Sequence, residues 1–234
     1  MRRVVRIAGT LLVGAGVLVL GWCLLVWQWQ DPFTALYTHY EQHRLASSYD
    51  ERFKSFKPAD VAGASLAAER RAIANEAASY RRQSRRGEAI GRIKVRRLGL
   101  NMILVNGTDH DSLMKGPGRD LRTFMPGEGR LIYVAGHRTT YLAPFSHIDS
   151  MRVGDLVNVQ MPYATFVYRV TEHRIVRADD LSVLRSHGHE VLVLQACHPR
   201  FFASHRYLVY AKPVLVTPRG TGPTLSGAAL AVGR

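Results

Sequence analysis

Cys197 closes the most apolar run in the second half of the chain, VLVLQAC, and a histidine and a proline follow it at once. Proline lacks an N–H and fixes φ, so a central strand cannot run through it, and the thiol stands at a strand end. A cysteine attacks as thiolate and therefore needs a base or cation brought near it in space. His198 is adjacent, but neighbouring side chains of an extended strand point to opposite faces, which makes it a poor partner. His137 is better placed: it follows LIYVAG, a second apolar strand ended by a glycine that lets the backbone swing an imidazole over a neighbouring strand. Acyl transfer to sulfur also builds negative charge on a carbonyl oxygen, which a guanidinium can hydrogen-bond at any working pH. Arg206 lies nine residues beyond Cys197 at the start of RYLVYA, so an antiparallel return sets it beside the cysteine strand. Arg200, in the connecting segment, is the weaker candidate.

The remaining reactive side chains carry less. Cys23 sits in an apolar stretch where a thiol simply packs, and two cysteines in such different surroundings form no disulfide framework. His187 and His189 have the spacing to share a strand face, but SHGHE lies between structured runs with no further ligand, so exposed loop histidines are expected and no metal site. Gly116, Pro117 and Gly118 lack the spacing and the Lys-Ser/Thr ending of a phosphate loop and read as a tight turn.

What must position these groups is a barrel. From Gly91 onward GRIKVRR, NMILVNG, RLIYVAG, GDLVNVQ, TFVYRVTEHRIV, EVLVLQA and RYLVYAKPVLV are short β-branched or aromatic runs punctuated by Gly, Pro, Asn and Asp. Seven or eight strands in about 127 residues, with short helices near 109–115 and 144–151, predict a small closed all-β barrel over residues 89–217. Upstream, Ala8 to Trp27 is twenty residues without a formal charge, which as a helix spans about 30 Å, the thickness of a bilayer core. Arg2, Arg3 and Arg6 precede it and Trp22, Trp27 and Trp29 cluster at its far end, so residues 1–7 are expected in the cytoplasm and 8–29 as a single-pass plasma-membrane anchor. The run is too long for a cleaved signal, and WQWQDP has no small-residue pair for a signal peptidase. Residues 30–88, rich in Ala, Glu, Arg and Gln, predict an extracytoplasmic helical stalk, with Arg81, Arg82, Arg85 and Arg86 as a solvated face. The Gly- and Pro-rich residues 218–234 are expected to be a flexible tail. A net charge of +14 asks for an anionic neighbour. Outside a membrane that neighbour is lipid or wall polymer rather than nucleic acid.

YVAGHRTTYLAPFSHID, LQACHPRFFASHRYLVYA and GRIKVRRLGLNMILVNGTDHDSLMKGPG together resemble a sortase, the membrane-anchored cysteine transpeptidase of Gram-positive bacteria, over roughly residues 89–216. Cys-His-Pro with an arginine nine positions after the cysteine, and DPFTALYTHYEQHRL just outside the anchor, are most similar to class E sortases of actinobacteria. The resemblance implies an eight-stranded barrel, a catalytic triad of His137, Cys197 and Arg206, and no cofactor. It implies cleavage of a C-terminal LPxTG- or LAxTG-like sorting signal on secreted proteins, with transfer through a thioacyl enzyme to an amine of a peptidoglycan precursor or another acceptor. One departure is visible: the family pattern resembles TLTTC, whereas Ala196 precedes Cys197 here. Loss of that hydroxyl removes a possible hydrogen bond to bound peptide, so Ala196 is expected to bear on the signal accepted. Two competing readings are a membrane-anchored cysteine peptidase or amidase that hydrolyses the same intermediate, and a silent sortase-like binding module.

Overall fold

The computed structural model describes residues 2–28, 32–59, 65–185 and 187–227. Its first element, α1 (Arg2–Gln28), is exposed along its whole described length and apolar all round: Leu12, Val13, Leu18 and Val19 each leave more than half their surface uncovered. Over Arg2–Leu24 it is long and apolar enough to cross a membrane. Trp29, expected in the aromatic belt, lies outside the described residues.

The region expected as a stalk is helical, as its composition predicts, but it does not project. Both α2 (Pro32–Ser55) and α3 (Leu66–Gln83) lie against the barrel. Ile73, Ala77 and Tyr80 recur at helical spacing on one face of α3 and are buried in the main core. Tyr49 of α2 packs on Ala89 and Ile103. Charge dominated the composition of this segment and hid those short apolar stripes. The arginine cluster is divided accordingly: Arg82 and Arg85 are exposed, whereas Arg81 donates to Glu128 at 2.8 Å and fastens α3 to the barrel.

The strands are β1 (Ala89–Val95), β2 (Leu100–Asn106), β3 (Gly118–Arg119), β4 (Leu131–Ala135), β5 (Leu156–Gln160), β6 (Ala164–Arg177), β7 (Val191–His198), β8 (His205–Pro218) and β9 (Leu225–Ser226). The order β6-β5-β1-β2-β3-β4-β7-β8 closes through β6–β8 pairing, which gives the expected eight-stranded barrel, and β9 is added at the far end of β8. Part of the expected tail is therefore ordered. Leu225 pairs with Val216 and is buried, because the Gly- and Pro-containing residues 219–224 turn the chain back onto β8; residues 228–234 lie outside the described residues. The two short helices appear as α4 (His110–Leu113), capped by Asp109, and a 3-10 turn at Ile148–Ser150. Gly116 to Gly118 serve as the entry to β3, where Pro117 accepts from the Val105 N–H, and not as a free turn.

Strand alternation divides the wall in two. Ile132, Val134, Leu192, Leu194, Ala196, Val209 and Ala211 point into the barrel. Leu131, Tyr133, Val191, Val193, Leu208 and Tyr210 form a second cluster on the outer face of β4, β7 and β8, partly roofed by Val183 and Leu184 of the β6–β7 connection. β3 is only two residues long, so it cannot pair the whole edge of β2. Gln42 of α2 fills the gap: its Oε1 accepts from Ile103 N at 2.7 Å, and its Nε2 donates to Ile103 O at 3.1 Å and to Lys115 O at 2.7 Å. Replacing Gln42 with Met strands that backbone pair, and the expected loss is roughly 1–3 kcal/mol of stability, measured by urea denaturation.

Candidate active site

Three strands set the site. β4 and β7 run parallel with Ala135 opposite Gln195, and the ladder continues one step beyond β4, where Gly136 N donates to Gln195 O at 3.0 Å. The next residue on each strand is therefore His137 on one side and Cys197 on the other. β8 runs antiparallel to β7 with Arg206 directly opposite Cys197. Parity puts Gln195 and Leu208 on the outer face, and Cys197 and Arg206, two residues along in each case, share it, while His137 stands just past the end of β4, level with Cys197. The three residues singled out from sequence are thus brought together, with Cys197 in the middle and partly exposed.

Each neighbour is held differently. Gly136 is required for close approach, since a Cβ there would meet the Phe145 ring at 2.6 Å. His137 Nε2 is buried with no hydrogen-bond partner, and the imidazole packs on Tyr141 with ring centres 5.0 Å apart. Burial holds its pKa below the ordinary histidine range, and the nearby charge of His110 pushes the same way. Arg206 donates from Nη1 to Ala203 O at 2.8 Å and to His205 O at 3.0 Å, which fastens the β7–β8 connection and leaves Nε and Nη2 for a bound peptide. Arg200 lies within that connection, its guanidinium 5.7 Å from the Phe201 ring, away from the register position that Arg206 holds. His198 faces away from Cys197, as alternation requires, and packs near Tyr207 at 5.9 Å.

Ala196 is placed otherwise than expected. It is fully buried in the main core cluster, so its methyl faces the barrel interior and not the surface that Cys197 shares with Arg206. His187 and His189 are exposed, with ring centres 6.2 Å apart, and no cluster of three metal-ligating side chains occurs among the described residues.

Arg138 is a residue of this neighbourhood that sequence reasoning missed. It is 4% exposed, donates from Nη1 to Cys197 O at 3.3 Å and to His198 Nδ1 at 3.1 Å, from Nε to Ser146 O at 3.3 Å, and pairs through Nη2 with Asp149. One guanidinium therefore ties the residue after His137 to the backbone of the nucleophile. A signal existed: Arg138 and Asp149 are the first formal charges at either end of a loop, 139–148, that has none of its own.

Comparison with known proteins agrees with this geometry. A family model described as "Sortase domain" matches residues 93–214. Sortase D of Bacillus subtilis (strain 168) is 30% identical over 162 residues, covering 68% of this chain and 78% of that protein. Sortase SrtE1 of Streptomyces coelicolor is 30% identical over 112 residues, 44% of this chain but only 32% of that longer protein. Among solved structures, sortase E from Streptomyces avermitilis is 28% identical with a TM-score of 0.52, covering 62% of this chain and 99% of that one. A Clostridium perfringens Sortase D5 transpeptidase, 22% identical, shares the fold with a TM-score of 0.61 over 75% of this chain and 99% of that one.

Burial and His110 both favour the neutral imidazole of His137. Its ring titration, followed by NMR, is expected to have a midpoint below the ordinary value of about 6.5. The midpoint should rise in His110→Gln, which removes the repelling charge.

Proposed function

The chain belongs to the sortase family, and from that premise we propose that this membrane-anchored transpeptidase cleaves a C-terminal LPxTG- or LAxTG-like sorting signal after its threonine and transfers the protein to a cell-wall amine. The observation that supports the reading is the register, with Arg206 directly opposite Cys197 and the Gly136 N–H bonded to Gln195 O, one residue before His137. Cys197 Sγ gives its proton to His137 and attacks the threonine carbonyl carbon. Arg206 hydrogen-bonds the oxygen that gains negative charge. As the tetrahedral species collapses, the carbon–nitrogen bond breaks and His137 returns the proton to the leaving glycine amine, leaving a thioester on Cys197. An amine of a peptidoglycan precursor then attacks the thioester, His137 takes the amine proton, the carbon–sulfur bond breaks, and the proton passes from His137 to the departing Cys197 sulfur, which regenerates the thiol.

The outer face also supplies the environment. Its apolar cluster of Tyr133, Val193 and Leu208 is buried beside the end of β7 and keeps the surroundings of Cys197 water-poor, which favours capture by amine over hydrolysis. The apolar helix at the N-terminus fits a membrane anchor. In the proposed orientation Arg2, Arg3 and Arg6 stay in the cytoplasm, and the barrel meets secreted substrates as they leave the membrane.

The test is to incubate the full chain in detergent with LPxTG and LAxTG peptides and an amine acceptor, following intact protein and products by mass spectrometry. Wild type is expected to give a thioacyl adduct and amine-capped peptide, and Cys197→Ala neither. His137→Ala should slow turnover roughly 10²–10⁴-fold. Arg206→Lys should slow it roughly 10²–10³-fold, as expected for a lost oxyanion donor. Exclusive hydrolysis would replace the transpeptidase reading with a peptidase, and transfer by Cys197→Ala would end it.

A further inference from the structure

Among the described residues, no carboxylate hydrogen-bonds the imidazole of His137, in contrast to the arrangement that commonly orients a catalytic histidine. No partner reaches its buried Nε2, and the ring's close neighbour is Tyr141. What aims His137 is therefore whatever holds Tyr141. The backbone there is unusual: Tyr141, Leu142 and Ala143 have φ of 54°, 60° and 37°, three successive left-handed residues that are not glycine. Such a run persists only where its surroundings over-determine it. Within the loop, Ala143 N donates to Thr140 O at 2.8 Å and Phe145 N to His137 O at 3.1 Å. The Tyr141 N–H is held from outside the loop, donating to Thr34 Oγ1 at 3.1 Å.

Thr34 stands in the first turn of α2, and three residues separate the end of α1 from the start of α2. The helix is a rigid rail. Thr38 donates to Met114 O at 2.7 Å, Gln42 clamps the β2 edge, and Tyr49 donates to Gln160 O at 2.9 Å. The geometry points to Thr34 as a positioning residue for His137: the juxtamembrane helix supplies one hydroxyl that fixes the Tyr141 backbone, and Tyr141 in turn fixes the imidazole. The inference rests on the role proposed for His137. It assigns to the segment joining anchor and barrel a part in the active site as well as in tethering.

Thr34→Val keeps the shape and removes the acceptor, while Thr34→Ser restores it. Full-length protein in detergent is assayed for kcat and KM of peptide transfer, and amide hydrogen exchange is followed across residues 137–146. Thr34→Val is expected to lower kcat about tenfold, the usual scale for one lost hydrogen bond, with KM within about twofold. Exchange in 137–146 should speed up, and Thr34→Ser should repair both defects. A wild-type kcat in Thr34→Val, unchanged exchange, or a defect that serine does not repair would each overturn the inference. If wild type yields no Cys197-dependent product, the functional reading fails separately, and the exchange result alone decides whether Thr34 holds the loop.

Discussion

The site depends on the register of three strands. β7 is flanked by a parallel neighbour and an antiparallel one, and both registers set a chemical side chain level with Cys197. A slip of one residue on β4 or β8 would turn His137 or Arg206 to the opposite face, because side chains alternate along a strand. The packing of both faces opposes that slip, since Val134 and Val209 would leave the barrel interior and residues of different size, Tyr133 or Ala135 and Leu208 or Tyr210, would have to take their places. Packing inside the barrel thus enforces geometry outside it.

Arg138 adds a cross-link where the ladder ends. A buried cation is tolerable only when its donors are satisfied. Here the Cys197 and Ser146 carbonyls, the His198 ring and the Asp149 carboxylate meet it. Asp149 is nearly half exposed while Arg138 is buried, so the pair joins the 3-10 turn at Ile148–Ser150 to the end of β7 without a second buried charge. Among the described residues, the His137 side chain has no such carboxylate. An uncompensated, half-buried imidazole stays neutral more readily than one in a serine-type triad, where an aspartate stabilises the imidazolium. A thiol nucleophile suits that histidine better than a hydroxyl, because it ionises far more easily and asks less of its base.

The barrel was legible because strand alternation and the Gly, Pro and Asn breaks repeat along residues 91–217, and the same reasoning placed His137, Cys197 and Arg206 at strand ends. Arg206 could be reached because a nine-residue return is a local property of a hairpin. Arg138 could not be reached in that way. Its partners lie 8, 11, 59 and 60 residues away, and such separations are visible only once the sheet has closed. The same holds for α2 and α3, whose exposed charges outnumber the few apolar positions that seat them. Gln42 reads as one more polar residue of a helix until the unpaired edge of β2, left by a two-residue β3, gives it something to clamp.

Ala196 shows how the division of the wall changes the meaning of a residue. Beside the nucleophile in sequence, it is across the sheet from it in space, packed with Leu194 and Val209 inside the barrel. A hydroxyl at that position would need a partner within an apolar core, most simply a carbonyl of its own or a neighbouring strand. A methyl needs none. The departure from the family pattern therefore bears on how firmly the end of β7 is packed, and not on the face that Cys197 presents. The groups that share the outer face with Cys197 are instead Gln195, the next residue back along β7 on that face, and Arg206, directly opposite on β8, with its two remaining guanidinium nitrogens.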